Sequence, residues 1–252
     1  MNDAYSDVFE RPPEAAKIWR YLDFAKLVDM VDRGALFFAR ADAMLDPWEG
    51  RIGTAGEISH VEQILAALPD EVVTAGYAER VRAEYRAFRH ESIRQIYLSC
   101  WYVSEHESAA MWELYAGRDG RGVAIQSSFG RLRSALPATF EEHAIRAGLV
   151  RYIDYSRETV PVGNRFYPFL HKRLSFEHER ELRAVLDLHP SDREPGPEGG
   201  VNVPVDTATL IDHVHVAPTA PTWFTELVAR TVEHYGLMAP VVRSNLLVGP
   251  IV

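Results

Sequence analysis

The sequence predicts a single α+β domain, and three observations support this fold class. With 252 residues, of which 47% are hydrophobic, the chain can bury a large core. Its predicted strands are short and numerous, and the predicted helices are spaced irregularly among them, which favours an α+β arrangement over a regular doubly wound sheet. The chain also lacks an internal repeat and a heptad pattern, which argues against a repeat protein or a coiled coil.

The first predicted elements form a strand–helix–strand unit. A strand is predicted at AKIWRYL, and Asp23 then caps a helix whose apolar residues follow the helical period. Gly34 ends that helix, and ALFFA follows as a second strand. A turn at DPWEG leads into residues 59–93, whose many charges and modest apolar content predict a helical insertion or lid within the domain.

The middle of the chain contains two predicted strands separated by a short helix. The strands are IYLSCWYV, which is apolar enough to be buried, and VAIQS. Between them, Ser108 caps the helix AAMWELYA, in which Trp112 and Tyr115 lie at helical spacing. Aromatic side chains at this spacing either pack in a core or line a pocket, and both interpretations remain open.

The second half of the chain is richer in predicted strands. GLVRYIDY is predicted as a strand and FYPFLHKRL as an aromatic-rich helix or turn. Residues 190–200 combine proline, glycine and charge, and therefore form a flexible loop. After this loop we expect a strand at LIDHVHVA, a helix at TWFTELVARTVEHYG that ends at Gly236, and a last strand at APVVRSNLLV.

Charged residues alternate in the segment Ser175–Leu186. The alternating residues are Glu177, Glu179, Glu181 and Arg183. In a strand all of them project from one face, where the like charges of the glutamates repel one another. Such a face is tolerated only in contact with solvent, beside cations or in a functional cleft. The same residues are good helix formers, and a helix would leave the acids in solvent. A solvated helix, a structural strand and a functional acidic strand are therefore all compatible with the pattern.

Charge and cysteine content limit the classes of function. The net charge of −9 argues against broad attraction to nucleic acid, although a local basic groove is compatible with it. The single cysteine, Cys100, excludes an internal disulfide and a multi-cysteine zinc site, and is expected to be a small buried residue. The sequence shows neither a signal peptide nor an apolar stretch of membrane-spanning length, so we expect a cytoplasmic protein without a membrane partner.

Familiar catalytic and metal-binding motifs do not explain this sequence. His213 and His215 alternate on a predicted strand, but a third ligand at a recognisable spacing is missing, so no metal site is predicted. The turn GRDGRG has neither the ending of a phosphate-binding loop nor the context of a dinucleotide fingerprint. A GxSxG nucleophile elbow is also absent from the sequence.

A succession of short motifs resembles a bacterial family. The motifs are IWRYLD, DPWEG, MWELYAGRDGRGVAI, VRYIDY and Lys172 followed by FEHERELR. The family is the domain-of-unknown-function group that includes AbiGi-type abortive-infection proteins, and the resemblance implies an effector or toxin in bacterial conflict, such as phage defence. The chain departs from the family at Leu45, where asparagine is usual, and at Phe176, where tryptophan is usual. The family's recurring polar residues match Asp46, Glu49, Trp112, Tyr115, Gly122, Lys172, Glu179, Glu181 and Arg183.

A looser resemblance suggests an activity. A strand with Arg20 and Tyr21, a later strand ending in Ser127, and the Glu179-x-Glu181 motif together look like the arginine, serine, glutamate-x-glutamate plan of ADP-ribosyltransferases. This resemblance implies a mixed, largely antiparallel sheet and NAD as substrate. The serine motif, at Ser127 and Ser128, departs from the family in lacking its central threonine.

The resemblance also implies roles for individual residues. Glu181 is the candidate that stabilises positive charge on the ribose as the nicotinamide bond breaks, and Glu179 is the candidate that orients or deprotonates the acceptor nucleophile. Arg20 would bind the diphosphate of NAD. The other cofactor-binding candidates are Tyr21, Trp112, Tyr115, Ser127, Lys172 and Arg183. An alternative is that Arg20 and Arg183 only pair with the glutamates in a structural network.

Two other functions remain open on the sequence alone. A metal-dependent nuclease could use Glu179, Glu181 and Lys172, since acidic residues beside a lysine can hold a divalent ion and a scissile phosphate. A non-catalytic module could bind a small nucleotide ligand through Arg20 and its aromatic neighbours. Nucleic acid stays among the candidate partners, and the acceptor macromolecule is unknown. The transferase interpretation predicts that Arg20, Ser127 and Glu181 converge on one cleft.

Overall fold

The computed structural model describes most of the chain. The described residues are 7–69, 71–115, 120–189, 191–196 and 198–248. Within them, helices and strands follow one another irregularly and most strands join one large sheet, which confirms the predicted α+β class. In this part of the chain, no helix combines the length and the apolar content that crossing a membrane requires.

The strands are short and numerous, as the sequence predicts. The strands are β1 (Lys17–Asp23), β2 (Ala35–Arg40), β3 (Ile96–Val103), β4 (Gly122–Ser128), β5 (Thr139–Phe140), β6 (His143–Leu149), β7 (Arg151–Ile153), β8 (His171–Arg173), β9 (Glu181–Asp187), β10 (Gly200–Pro204), β11 (His213–Val216) and β12 (Val241–Arg243). The helices are α1 (Phe24–Arg33), α2 (Gly53–Ala66), α3 (Ala75–Gln95), α4 (Ala109–Tyr115), α5 (Phe129–Ala135), α6 (Thr207–Leu210) and α7 (Thr222–His234). Three 3₁₀ turns lie at Ala41–Ala43, Tyr167–Phe169 and Leu174–Glu179.

The large sheet is mixed and largely antiparallel, as expected. Its main path runs β12-β11-β4-β1-β3-β9-β6-β5, and β2 joins β3 while also pairing with β10. The β11/β12 pair is parallel, whereas the other described pairings of this sheet are antiparallel. Strands β7 and β8 form a separate parallel pair. The main hydrophobic core lies between the sheet and helices that include α1, α5 and α7.

One edge of β3 is divided between two strands. The C-terminal end of β3, at Tyr102 and Val103, pairs with β1, while its N-terminal end, at Tyr97 and Leu98, pairs with β2. On this edge, the intervening residues Ser99–Trp101 have no strand partner in the described register. We call the space where β1 and β2 separate along β3 the fork.

Helix α1 shows how closely local sequence signals can match the fold. The Asp23 side chain accepts a hydrogen bond from the backbone N–H of Lys26, so it caps the helix as predicted. Gly34 ends the helix with φ of 57°, a left-handed conformation that glycine adopts without a steric penalty. Leu27 and Val31 on the apolar face are buried, which places the helix on the sheet.

Several predicted strands differ in extent from the observed ones, including LIDHVHVA, of which only His213–Val216 form β11. GLVRYIDY divides between β6 and β7 because the chain changes partner: the Val150 N–H donates to the Glu181 carbonyl, and the Arg151 N–H donates to the Leu170 carbonyl. The last strand, predicted over APVVRSNLLV, is limited to β12. Strand β10 was not predicted, because its first residue, Gly200, belongs to the proline- and glycine-rich stretch 190–200. That stretch lies partly outside the described residues.

The acidic segment is neither a continuous strand nor a continuous helix. Residues Leu174–Glu179 form a 3₁₀ turn, Arg180 adopts a left-handed conformation with φ of 39°, and β9 begins at Glu181. Glu181 and Arg183 share a face of β9, as the strand prediction required. The prediction was wrong for Glu179, which lies on the turn before the strand and reaches its neighbours through the chain reversal at Arg180.

Candidate active site

The register of the sheet brings several candidate residues to one face. Glu181 lies directly opposite Tyr102 in the β3/β9 pair, and Tyr102 lies opposite Trp19 in the β1/β3 pair. Directly opposed residues project from the same face of a sheet, and so do residues two positions apart in one strand. Tyr21 and Arg183 therefore project from this same face, which we call the site face.

A cavity of about 220 Å³ lies on the site face next to the fork. Its walls include Tyr21 from β1, Cys100 from β3 and Tyr115 from α4. Lys172, Glu179 and Glu181 form a charged wall of the same cavity. Both glutamates of the Glu-x-Glu motif thus border the same space as Tyr21.

Five ionisable side chains form a buried group that we call the charged cluster. The ammonium of Lys172 donates hydrogen bonds to Glu179 Oε2 and, at 2.6 Å, to Glu181 Oε1. Arg183 Nε donates to Glu181 Oε2 at 2.6 Å. The guanidinium of Arg183 also holds Glu49 through both carboxylate oxygens, at 2.6 and 2.9 Å. All five residues are buried, so each charge depends on its neighbours for compensation.

Backbone geometry aims both glutamates at one lysine. The left-handed conformation of Arg180 is uncommon for a residue with a side chain, and it reverses the chain between Glu179 and Glu181. The Glu181 N–H donates to the Tyr152 hydroxyl at 2.8 Å, which fixes the start of β9. As a result, Glu179 on the turn and Glu181 on the strand both contact the ammonium of Lys172.

The two carboxylates of the cavity differ in their electrostatic environment. Burial alone would raise the pKa of Glu181, but the positive charges of Arg183 and Lys172 outweigh burial and hold that pKa well below its usual range. Burial and the adjacent Glu181 raise the pKa of Glu179. One carboxylate is therefore fixed in its ionised form, while the other is suited to accept a proton.

Two tyrosines complete the cavity. The Tyr115 hydroxyl donates to Glu179 Oε1 at 2.6 Å, and burial together with Glu179 raises its pKa, so it remains a donor at neutral pH. The Tyr21 hydroxyl accepts a hydrogen bond from the backbone N–H of Ser108 at 2.8 Å. This bond ties β1 to the segment that begins α4.

Trp112 supports the cavity from behind and is not part of its lining. Its indole ring is buried and meets the Tyr21 ring edge-on, with 5.0 Å between the ring centroids. Its Nε1 donates to Glu107 Oε2 at 2.9 Å. Of the two interpretations left open by the sequence, packing applies to Trp112, whereas Tyr115 lines the pocket.

Replacing Trp112 by alanine is expected to lower the free energy of unfolding by about 3 kcal/mol or more, the usual cost of deleting a large buried aromatic side chain. Urea unfolding of the purified variant measures this loss. Trp223→Ala is the matched control, because half of the Trp223 side chain is exposed and its removal should cost much less. Unchanged stability combined with lost ligand binding would show instead that Trp112 contacts the ligand.

Arg20 lies in the fork and projects from the face opposite to Tyr21. Its guanidinium donates to Ser99 Oγ and, at 3.2 Å, to the Phe37 carbonyl, and it lies 5.8 Å from the Trp101 ring centroid. Burial lowers its pKa. Arg20 borders both the 220 Å³ cavity and a second cavity of about 570 Å³ beside α1.

Ser127 does not reach the cavity. It is buried in β4, and its hydroxyl donates to the Leu210 carbonyl at 2.5 Å. The expected convergence of Arg20, Ser127 and Glu181 is therefore found for Arg20 and Glu181 but not for Ser127. Arg183 is also separated from the cavity, since its side chain is fully buried and holds Glu49 and Glu181 from behind.

Cys100 and Tyr152 are among the residues of this region that were not identified as site residues from the sequence. Cys100 lines the cavity, and burial raises the pKa of its thiol. Tyr152 holds the backbone of Glu181. Their positions depend on strand register, because Cys100 faces the site only through its pairing opposite Arg183.

The charged cluster does not resemble a metal centre. Among the described residues, no group of three or more histidine, cysteine, aspartate or glutamate side chains is arranged to hold a metal ion. The ammonium of Lys172 lies between Glu179 and Glu181, in the position that a divalent ion shared by these carboxylates would need. His213 pairs with Asp212 rather than with a third ligand.

Among known proteins, this chain is similar to solved structures but matches no family model and no curated sequence. A structure of Thermus sp. 2.9 DarT in complex with NAD+ is 9% identical, with a TM-score of 0.42 and coverage of 93% of this chain and 98% of that one. The complex of the same DarT with carba-NAD+ is 10% identical, with a TM-score of 0.39 and coverage of 92% of this chain and 96% of that one. Its complex with ADP-ribosylated ssDNA is 10% identical, with a TM-score of 0.40 and coverage of 93% of this chain and 96% of that one. Similarity at this level transfers neither an activity nor a residue role to this chain.

Proposed function

We propose that this protein is an ADP-ribosyltransferase-like enzyme that uses NAD as its substrate. The supporting observation is the pair of carboxylates in one cavity, of which Glu181 is held ionised by Lys172 and Arg183 while the pKa of Glu179 is raised. In a reaction that develops positive charge and releases a proton, an ionised carboxylate stabilises the charge and a carboxylate of raised pKa accepts the proton.

Glu181 acts on the bond between nicotinamide and ribose. As this carbon–nitrogen bond breaks, its electron pair leaves with nicotinamide and positive charge develops on the ribose. The carboxylate of Glu181 stabilises that charge, or a ribose hydroxyl beside it, more strongly in the transition state than in the ground state. Lys172 and Arg183 hold the carboxylate in place and keep it ionised, so they are positioning residues.

Glu179 acts on the acceptor. A nucleophile of the acceptor forms the new bond to the ribose carbon, and its proton passes to Glu179. Its raised pKa makes Glu179 a better proton acceptor than Glu181, whose pKa is lowered. The hydrogen bond from Tyr115 orients the carboxylate for this step.

NAD extends over both cavities that Arg20 borders. The cavity of about 220 Å³ is below the usual size of a pocket for a drug-sized ligand, so it accommodates the nicotinamide riboside end of NAD rather than the whole dinucleotide. Tyr21 and Tyr115 stack on the nicotinamide ring. The adenosine end lies towards the larger cavity beside α1, and Arg20 between the two meets the diphosphate.

One assay separates this proposal from the alternatives. The purified protein is incubated with NAD labelled in nicotinamide, and with RNA and single-stranded DNA, each with magnesium and with a chelator. Release of nicotinamide that is independent of magnesium supports the proposal. Magnesium-dependent degradation of nucleic acid without nicotinamide release identifies a nuclease instead. Thermal stabilisation by NAD without turnover identifies a binding module, and the absence of NAD binding by the folded protein excludes the proposal.

A further inference from the structure

A separate cavity of about 590 Å³ lies between the turn that follows β2 and the helices α2 and α3. Its lining includes Trp48, Arg51, Tyr85, Arg86, Arg89 and His90. The cavity shares no lining residue with the cavity of Glu181, so it is distinct from the proposed NAD site. Its volume lies within the usual range for a small-molecule pocket.

The lining of this cavity is positively charged, although the chain as a whole has a net charge of −9. Arg51, Arg86 and Arg89 are cationic, and Glu57 is the acid among the lining residues. Arg86 pairs with Glu57. Neither Arg51 nor Arg89 forms an ion pair with a carboxylate in the part of the chain that the structure describes. A local excess of positive charge on an acidic protein attracts anions.

Arg89 is the most informative of these cations. It is partly buried, and burial lowers the pKa of its guanidinium. Its Nη2 donates to the Gly50 carbonyl at 2.6 Å, and the guanidinium lies 5.8 Å from the Phe169 ring centroid. Among the described residues these carbonyl and ring contacts bring no negative charge to Arg89, and an anion would stabilise a cation that is partly removed from water.

Aromatic side chains give the cavity a second kind of contact. Trp48 and Tyr85 both line it, and 38% of the Trp48 surface remains exposed. The Trp48 ring meets Tyr155 edge-on at 5.7 Å, which fixes its orientation. An exposed and fixed indole ring is suited to stacking against a planar ligand.

We propose that this cavity binds a ligand that combines a phosphate group with a planar ring, the chemistry of a nucleotide. Arg51, Arg86 and Arg89 bind the phosphate through charge-assisted hydrogen bonds, and Trp48 stacks on the ring. The site does not depend on the proposed NAD chemistry, because it uses none of the same residues.

Calorimetric titration of the whole protein with 5′-AMP, 5′-GMP, 5′-CMP, 5′-UMP and pyrophosphate tests the proposal. We expect binding that weakens about tenfold or more in Arg51→Gln and in Arg86→Gln, because each change removes a charge-assisted contact to phosphate. Arg82→Gln is the matched control, since Arg82 is an exposed arginine on the same helix and does not line the cavity. Trp48→Leu should weaken the mononucleotides while leaving pyrophosphate nearly unchanged.

The outcomes are distinguishable from failure of the proposed enzyme activity. A folded wild-type protein that binds none of these probes overturns the second site, whatever its behaviour with NAD. Binding that is unchanged in Arg51→Gln and Arg86→Gln but lost in Tyr21→Ala overturns it as well, because the ligand would then occupy the cavity of Glu181. Nicotinamide release by Arg51→Gln at the wild-type rate, together with weakened mononucleotide binding, supports two independent sites.

Discussion

Replacing Glu181 by glutamine is expected to lower the rate of nicotinamide release by about 100-fold or more while changing the affinity for NAD little. Glutamine keeps the shape of the side chain and removes the negative charge that matters as positive charge develops on the ribose. An interaction made mainly in the transition state affects turnover rather than ground-state binding. The measurements are nicotinamide release from labelled NAD and calorimetric titration with NAD.

The control for this variant is Glu177→Gln, which removes an exposed acid from the same short segment and should leave turnover unchanged. A melting curve of each variant is needed, because Lys172 and Arg183 lose a charged partner in Glu181→Gln. Wild-type turnover in Glu181→Gln would exclude Glu181 as the catalytic carboxylate. Equal losses of turnover and folded protein would assign Glu181 to the structure instead.

Arg183→Met is expected to lower the free energy of unfolding by about 3–5 kcal/mol, because it leaves the buried carboxylate of Glu49 without its cation and leaves Glu181 with Lys172 alone. Arg183 is fully buried and donates to Glu49, Glu181 and the Phe169 carbonyl. Methionine fills a similar volume, so the loss reports mainly on charge and hydrogen bonding rather than on a cavity. Urea unfolding measures the change.

The neighbouring Arg173 provides the matched control for Arg183→Met. Arg173 pairs with Asp46 at 2.9 Å, but about a third of its side chain is exposed, so Arg173→Met should cost clearly less. Adding Glu49→Gln to Arg183→Met should recover part of the stability, because the uncompensated carboxylate of Glu49 is then replaced by a neutral amide. A loss below about 1 kcal/mol for Arg183→Met would contradict the buried ionic network.

Local signals made much of the fold predictable from the sequence. The cap at Asp23, the stop at Gly34 and the apolar run of β3 each act over a few residues, and the structure reproduces them. The short strand β10 was missed because its sequence follows directly on a run of proline, glycine and charge, where strand propensity is weak. The ends of short elements depend on tertiary partners, as the break at Val150 shows.

The candidate site was predictable in its residue types more than in its geometry. Glu179 and Glu181 were identified as a pair, but nothing in the sequence marks Arg180 for a left-handed conformation. Arg20 and Tyr21 are consecutive in β1 and therefore project from opposite faces, an alternation that the expectation of one shared cleft did not take into account. The position of Ser127 depends on the register in which β4 pairs with β1 and β11. Strand register is set by long-range contacts, and the periodicity of the sequence does not predict it.

The fork has a mechanical consequence for the cavity. Strands β1 and β2 meet β3 through short pairings at its two ends, whereas β9 pairs along Ile96–Tyr102 on the other edge. The sheet can therefore widen at the fork by turning one branch relative to the other, without breaking the ladder that joins β3 to β9. Arg20 spans this opening, since its guanidinium, which extends from β1, donates hydrogen bonds to Ser99 in β3 and to the Phe37 carbonyl in β2. The two side-chain hydrogen bonds of Arg20 therefore contribute to the stiffness of the cavity mouth at a place where the sheet has no row of backbone hydrogen bonds.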